Sequence, residues 1–359
     1  MRVVITGGCG FLGRRVALRL LERGDIDELV LFDNAPSALP LPEDKRLTLA
    51  IGDIADRETV RGVISPATTS VFHLAAVVSG QAEADTNLGY RVNLDGTRAV
   101  LDACRALGTC PRVVFASSLA VYGGELPPAV GDETPLTPQT SYGTQKAIGE
   151  LLVNDYSRRG FVDGRAVRLP TVVVRPGRPN RAASTFASSM IREPLSGREA
   201  VCPVSPDTVM ALASPRRIVA GLLHAHDLPG HAFGTSRSLQ LPGFSVAVGE
   251  MAAAVRRAGG EEAYARIRWE PDAEIQQIVS GWPQALGAPR AEDLGFTADT
   301  GIDEVVQAFR TTLRCKNSSS DELDQSPAAS SACGTSATGV SRTQMAETIA
   351  AIRPKPASA

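Results

Sequence analysis

Arg2-Val-Val-Ile-Thr6 runs directly into Gly7-Gly-Cys-Gly10-Phe11-Leu12-Gly13, and the order of these two pieces decides the fold. The first is a short β-branched run, the pattern of a strand covered on both faces. Beyond Gly13, Val16, Leu20 and Leu21 recur at helical spacing, with Ala17 and Leu18 beside them. Strand, glycine-rich turn and helix start, in that order, make the unit that holds a dinucleotide. Without side chains at Gly7, Gly10 and Gly13, backbone N–H groups at a helix N-terminus approach a pyrophosphate, and Phe11 and Leu12 fall in the same turn. The spacing is G-x-x-G-x-x-G rather than G-x-G-x-x-G, which leaves that physics unchanged. A merely tight strand-to-helix turn is the alternative.

Working outward, Leu29-Val-Leu-Phe32 reads as a second strand ending in Asp33, twenty positions after Gly13. A carboxylate there accepts hydrogen bonds from both hydroxyls of an adenosine ribose and repels a 2′-phosphate, so NAD is expected over NADP. Leu47-Thr-Leu-Ala-Ile51 is a third strand that leads into Gly52-Asp53-Ile54. Asp53 is placed to bond the adenine amino group and Ile54 to pack on the ring. Val71-Phe-His-Leu-Ala-Ala76 is a fourth strand. The small Ala75 and Ala76 at its end let a cofactor lie against the backbone, and His73 within it reads as a buried structural histidine. Tyr90 to Leu107 reads as a long helix, but Asn93 and Gly96 inside it cost stability relative to Ala, which points to an irregularity near the active site.

Arg112-Val-Val-Phe115 is the fifth strand and runs out through Ser117 and Ser118, at the edge where open α/β sheets bind ligands. After a Pro-rich loop from Pro127 to Pro138, a helix begins near Tyr142-Gly-Thr-Gln-Lys146 and extends to about Arg159. Four residues apart on a helix, Tyr142 and Lys146 share a face. An ammonium near a phenol favours the phenolate, so the pair has the makings of a proton shuttle. Ala166 to Arg175 is the sixth strand with its exit.

Composition sets the bounds. The chain has 359 residues, 43% of them hydrophobic, and a net charge of −2, the profile of an ordinary globular protein with no feature that suggests nucleic acid or an anionic membrane as partner. The six cysteines are scattered without a C-x-x-C pair, which fits a reducing cytoplasm and indicates neither disulfides nor a zinc site. Only Met1-Arg2 precedes the first apolar run, so no signal peptide is expected, and no run reaches the length of a membrane span. His224-Ala-His226 and His231 lack an accompanying carboxylate cluster, and no metal is expected. From about Lys316 to Ala359, Ser, Ala, Thr and Pro dominate; that tail is expected to be disordered, with a transient helix over Arg342 to Ile352 and no catalytic part.

With Thr6 to Gly13, Gly52-Asp53, His73 to Ala76, Asn93-Leu-Asp-Gly-Thr97, Ser117 to Gly123 and Tyr142-x-x-x-Lys146 in this order, the chain resembles the extended short-chain dehydrogenase/reductases. The resemblance implies an α/β fold. A Rossmann-type doubly wound parallel sheet over residues 1–168 binds NAD. A smaller C-terminal lobe over 169–314 binds substrate and returns segments to the Rossmann domain, and a low-complexity tail covers 315–359. It implies Tyr142 as general base, Lys146 as the residue on the nicotinamide ribose, Ser118 as the serine that orients the reacting oxygen, and Asn93 as part of the cofactor site. It also implies a possible homodimer built on the catalytic helix.

A narrower likeness, to dehydrogenases of small aldonic acids, lies in Val77 to Asp85, Ser141 to Lys146, Asn154 to Arg165 and Arg192-Glu-Pro-Leu195. It implies NAD-dependent oxidation of a 2-hydroxyl. An acid substrate needs a cation, and Arg175, just past a strand end, is the candidate for two parallel bonds to its carboxylate; an interlobe salt bridge is the other role open to it. Ser79 and Gln81 are candidates for the substrate hydroxyls, alongside Ser118 and Tyr142. Many nucleotide-sugar epimerases carry an Asn where Thr171 stands, which favours a smaller substrate. The competing readings are a nucleotide-sugar 4-epimerase with retained NAD and a dinucleotide-binding regulator without chemistry.

Overall fold

β1 (Arg2–Thr6) is central to a seven-stranded sheet because both of its faces are covered: Val3, Val4 and Ile5 are fully buried. The chain is described by a computed structural model over residues 1–38, 40–175 and 184–321, with side chains through 313. β1 pairs in parallel with β2 (Glu28–Asp33) on one side and β4 (Thr68–His73) on the other. β3 (Leu47–Ile51) extends the first side; β5 (Arg112–Ser118), β6 (Asp163–Leu169) and the strand Ser238–Gln240 extend the second, all in parallel. The order of strands reverses between β1 and β4. A crevice therefore opens at their carboxyl ends, where such sheets bind ligands.

Two expected strands end earlier than the residue pattern suggested. β4 stops at His73, and Leu74 to Ala76 form the loop beyond it. The expected sixth strand divides at Pro170: a proline has no N–H to give a ladder. β6 ends at Leu169, and Thr171–Val172 joins a different sheet beside Val209–Ala213, which pairs in turn with Phe244–Ala247. That second sheet and the helices Thr185–Leu195 and Val248–Ala265 enclose a core of their own around Phe186, Met190, Leu212 and Met251. The strand Ser238–Gln240 then returns the chain to the main sheet. The last helix runs Ile302–Asp321 and so enters the region expected to be disordered; the rest of that tail, with the expected transient helix, lies outside the described residues.

The irregularity expected around Asn93 is a π-helical segment, Tyr90–Asp95, followed by α-helix Gly96–Leu107. His73 is buried and bonded on both ring nitrogens, Nδ1 to the Thr6 hydroxyl (2.7 Å) and Nε2 to the Thr97 hydroxyl (2.9 Å). Because the Thr97 hydroxyl donates to the Asn93 carbonyl, it accepts from Nε2, and the ring is the neutral Nε2–H tautomer. Burial, with the Lys146 charge nearby, pushes its pKa down to about 3. His226 is likewise buried and lowered by desolvation, between Ser70 and Asp227. His224 bonds the Leu294 carbonyl (2.7 Å). Among the described residues no His, Cys, Asp and Glu group is placed to hold a metal, and no helix is long and apolar enough to cross a membrane.

Acid should therefore loosen the fold before carboxylates titrate. An unfolded histidine takes a proton below about pH 6.5, whereas His73 and His226 resist one in the folded state, so stability is complete above that pH and falls as pH drops through it. His73 alone should withdraw about 2 kcal/mol between pH 7 and pH 5. Urea unfolding at the two pH values reads this directly, and a flat stability over that interval would contradict it.

Candidate active site

The glycine-rich turn is built by close approach. Gly7 has φ +67°, and a Cβ there would lie 2.8 Å from the Ala75 nitrogen, so only glycine lets the loop after β4 meet the loop after β1. Helix α1 (Phe11–Leu21) begins at Gly10, and among the described residues no side chain caps it and no acidic residue occupies its first turn. Its N–H groups are thus left for an anion. Asp33, at the end of β2, is aimed by two backbone donors: Cys9 N–H to Oδ2 (2.9 Å) and Asn34 N–H to Oδ1 (2.8 Å). The turn, Phe11, Leu12 and the Asp33 carboxylate thus fit the pyrophosphate and adenosine ribose of NAD.

Other expected cofactor residues are engaged within the protein. Asp53 accepts from Ala55 N–H (2.9 Å) and pairs with Arg91. Ile54 lies in the apolar core, where it packs on Gly96. Asn93 is buried and fully used: it accepts from Val77 N–H (2.8 Å) and donates to the Val77 carbonyl (3.0 Å) and the Gln145 side chain (2.7 Å). Asn93 thereby ties the loop after β4 to the helix that carries Tyr142 and Lys146.

That helix spans Ser141–Arg158, and Thr140 caps it by accepting from Gly143 N–H (3.0 Å). Glu83 accepts from Ser141 N–H (2.9 Å), joining the short helix Ser79–Ala84 to the residue before Tyr142. Glu83 is not among the candidates the sequence offered, because its partner lies 58 residues away. Ser79 and Gln81 sit on this helix, Ser79 partly buried and Gln81 exposed.

The two serines of β5 separate cleanly, since neighbouring residues of a strand face opposite ways. Ser117 is buried and donates to Glu150 (2.5 Å), which forms a buried ion pair with Arg168 (2.8 Å). Ser118 accepts from Ala120 N–H (3.1 Å) and is left to donate to the Tyr142 oxygen. Lys146 is buried, donates to the Ala116 carbonyl (2.8 Å), and has its pKa lowered to about 8 by desolvation. Its Nζ lies 5.7 Å from the Tyr142 ring centroid.

Burial raises the Tyr142 pKa, and what opposes that rise is the Ser118 hydrogen bond and the Arg175 charge. In this chain Arg175 thus joins Lys146 as a cation near Tyr142. Arg175 follows the strand Thr171–Val172, donates through Nη2 to Ser184 (3.2 Å), and has no carboxylate partner among the described residues. The expected alternative role as an interlobe salt bridge finds no support there. Ser118, Tyr142, Lys146 and Arg175 are thus gathered from β5, the helix Ser141–Arg158 and the exit of the split strand: a hydroxyl, a phenol and two cations.

Residues 3–217 match the NAD dependent epimerase/dehydratase family, and the chain belongs to it; its cofactor is NAD. It is 53% identical over 319 residues to the D-erythronate dehydrogenase of Cupriavidus necator, spanning 86% of this chain and 98% of that one. It is 45% identical over 311 residues to the D-erythronate dehydrogenase of Haemophilus influenzae, with the same two coverages. Among solved structures, the nucleoside-diphosphate-sugar epimerase from Agrobacterium tumefaciens matches with a TM-score of 0.82 at 42% identity, covering 91% of this chain and 95% of that one.

Proposed function

We propose that this chain oxidises the C2 hydroxyl of D-erythronate to the 2-oxo acid with NAD as oxidant. The observation that carries the reading is the meeting of Tyr142 and Arg175: a base and a guanidinium lacking a carboxylate partner among the described residues act on one another. A small acid answers both, its carboxylate on Arg175 and its neighbouring hydroxyl on Tyr142. The two relatives at 53% and 45% identity support the same choice.

Ser118 donates to the substrate oxygen and orients it, and Tyr142 as phenolate takes the hydroxyl proton. Bound NAD accepts the hydride that leaves the carbinol carbon. Lys146, held by the Ala116 carbonyl, is placed for the nicotinamide ribose, while Ser79 and Gln81 face the remaining hydroxyls. A pair of chains joined through the catalytic helix is part of the proposal, supported by Leu151, which is 66% exposed on that helix. So is a cytoplasmic location, for which the scattered cysteines and the NAD chemistry speak. A nucleic-acid partner has no counterpart in a net charge of −2.

Nucleotide-sugar epimerisation is the second reading, favoured by the Agrobacterium tumefaciens structure. An NAD-reduction screen over C3 to C6 aldonates with a nucleotide-sugar control separates the two. The proposal expects one NADH per D-erythronate consumed. NAD that stays bound and oxidised while a nucleotide sugar is isomerised would overturn it.

A further inference from the structure

The Arg175 main chain is gripped on both sides. Its N–H donates to the Ser188 hydroxyl (3.1 Å), and its carbonyl accepts from Arg192 Nη1 (2.5 Å). Ser188 and Arg192 are four residues apart on the helix Thr185–Leu195, so they share a face, and they are 1% and 6% exposed. A buried guanidinium is held in place by all of its bonds together, and one of those of Arg192 goes to the Arg175 carbonyl.

The fork of Arg192 is fixed from its other edge. Nε and Nη2 donate to the Glu193 carboxylate (2.8 and 2.6 Å), and Nη2 also meets Ser189 (3.2 Å). Glu193 is shared with Arg198 (2.5 Å). Two guanidinium groups, Arg192 and Arg198, thus share the Glu193 carboxylate, whereas Arg175 has no carboxylate partner among the described residues and its charge is the one an acid substrate would neutralise. The Arg192 charge also repels that of Arg175. The helix thus holds the Arg175 backbone on both sides, while the Arg175 side chain donates through Nη2 to Ser184.

We propose that Arg192 is a positioning residue for aldonate binding: its hydrogen bond to the Arg175 carbonyl sets the direction in which Arg175 presents its guanidinium to the substrate carboxylate. The inference rests on Arg175 as carboxylate anchor and adds the residue that aims it. Arg192 acts on binding through its bond to Arg175, and the melts register the separate loss of its bonds to Glu193 and Ser189.

The test is steady-state kinetics of the full chain with D-erythronate and NAD, alongside thermal melts. Arg175→Gln should raise the KM for D-erythronate about 10- to 100-fold, the loss of a charge-assisted pair. Arg192→Gln should raise it about 3- to 10-fold, with kcat and the KM for NAD within about twofold, and the double variant should be no worse than Arg175→Gln alone. Arg192→Lys, which keeps a donor and the charge, should recover part of the loss. Ser188→Ala, which frees only the Arg175 N–H, should show the same non-additive signature and serves if Arg192→Gln does not fold. Additive losses, or a fall in kcat with KM unchanged, would reduce Arg192 to a structural residue and overturn the inference. Should Arg175→Gln leave KM unchanged, the carboxylate-anchor reading itself fails; should only Arg175→Gln matter, that reading stands and this inference falls.

Discussion

Tyr142→Phe is expected to lower kcat for D-erythronate oxidation by about 10²- to 10⁴-fold, the usual contribution of a positioned acid–base group. The KM for NAD should stay within a few-fold, since the cradle at Gly7 to Gly13 and Asp33 is untouched. The substitution removes one oxygen from a ring that otherwise keeps its packing, so the melting temperature should hardly change. The pH profile sharpens the assignment. Burial raises the Tyr142 pKa, so below that value the phenolate fraction grows about tenfold per pH unit, and the wild-type rate should climb through the weakly alkaline range. The residual rate of the variant should lack that climb. A Tyr142→Phe enzyme with the wild-type rate and profile would remove the base from the mechanism.

The second large effect falls on a residue with no functional group. Gly143 lies one position after Tyr142, and a Cβ there would sit 2.0 Å from the Ala120 carbonyl oxygen and 3.0 Å from Pro138 Cβ. Ala120 belongs to the turn Leu119–Val121, whose N–H groups include the donor to Ser118. The obstacle is backbone and cannot rotate aside, so Gly143→Ala must drive the catalytic helix and the Ser118 turn apart by about 1 Å or more. A displacement of that size between reacting groups costs about 10²-fold in rate, and the overpacking costs about 1–3 kcal/mol of stability. Kinetics and urea unfolding on the same preparation check both. Activity within threefold of wild type would show that Ser118 and Tyr142 need not be held at a fixed separation.

Much of this site was legible because its signals are local. The β-branched run before Gly7, the carboxylate twenty positions after Gly13 and the i, i+4 pair Tyr142 and Lys146 each lie within one element or turn. Asn93 and Gly96 disclosed an irregular helix because their propensities conflict with their surroundings, and the π-helical segment Tyr90–Asp95 is the form it takes. What stayed hidden depends on distant partners. Nothing near Glu150 announces that Arg168 and Ser117 will neutralise it, and Ser238–Gln240 is too short and too polar to read as a strand of the main sheet. Glu83 reaches the catalytic helix across 58 residues. Gly143 was within reach of sequence reasoning, since a glycine inside a helix beside the catalytic tyrosine implies close backbone approach.

A second cation stands near the pair Tyr142 and Lys146. Lys146 donates to the Ala116 carbonyl with its Nζ 5.7 Å from the Tyr142 ring centroid, and the Arg175 charge also favours the phenolate. On the proposed binding mode base strength and substrate charge are coupled: a carboxylate on Arg175 would neutralise part of the charge favouring the phenolate and leave Tyr142 a stronger proton acceptor.

The most direct measurement uses D-erythronate carrying deuterium at C2, incubated with NAD and the full chain and followed by NMR. The account predicts that the deuterium appears on the reduced nicotinamide in one-to-one proportion with the 2-oxo acid, and that Tyr142→Phe suppresses both together. Deuterium that remains on the substrate carbon, or returns to it with inverted configuration and no net NADH, would contradict it.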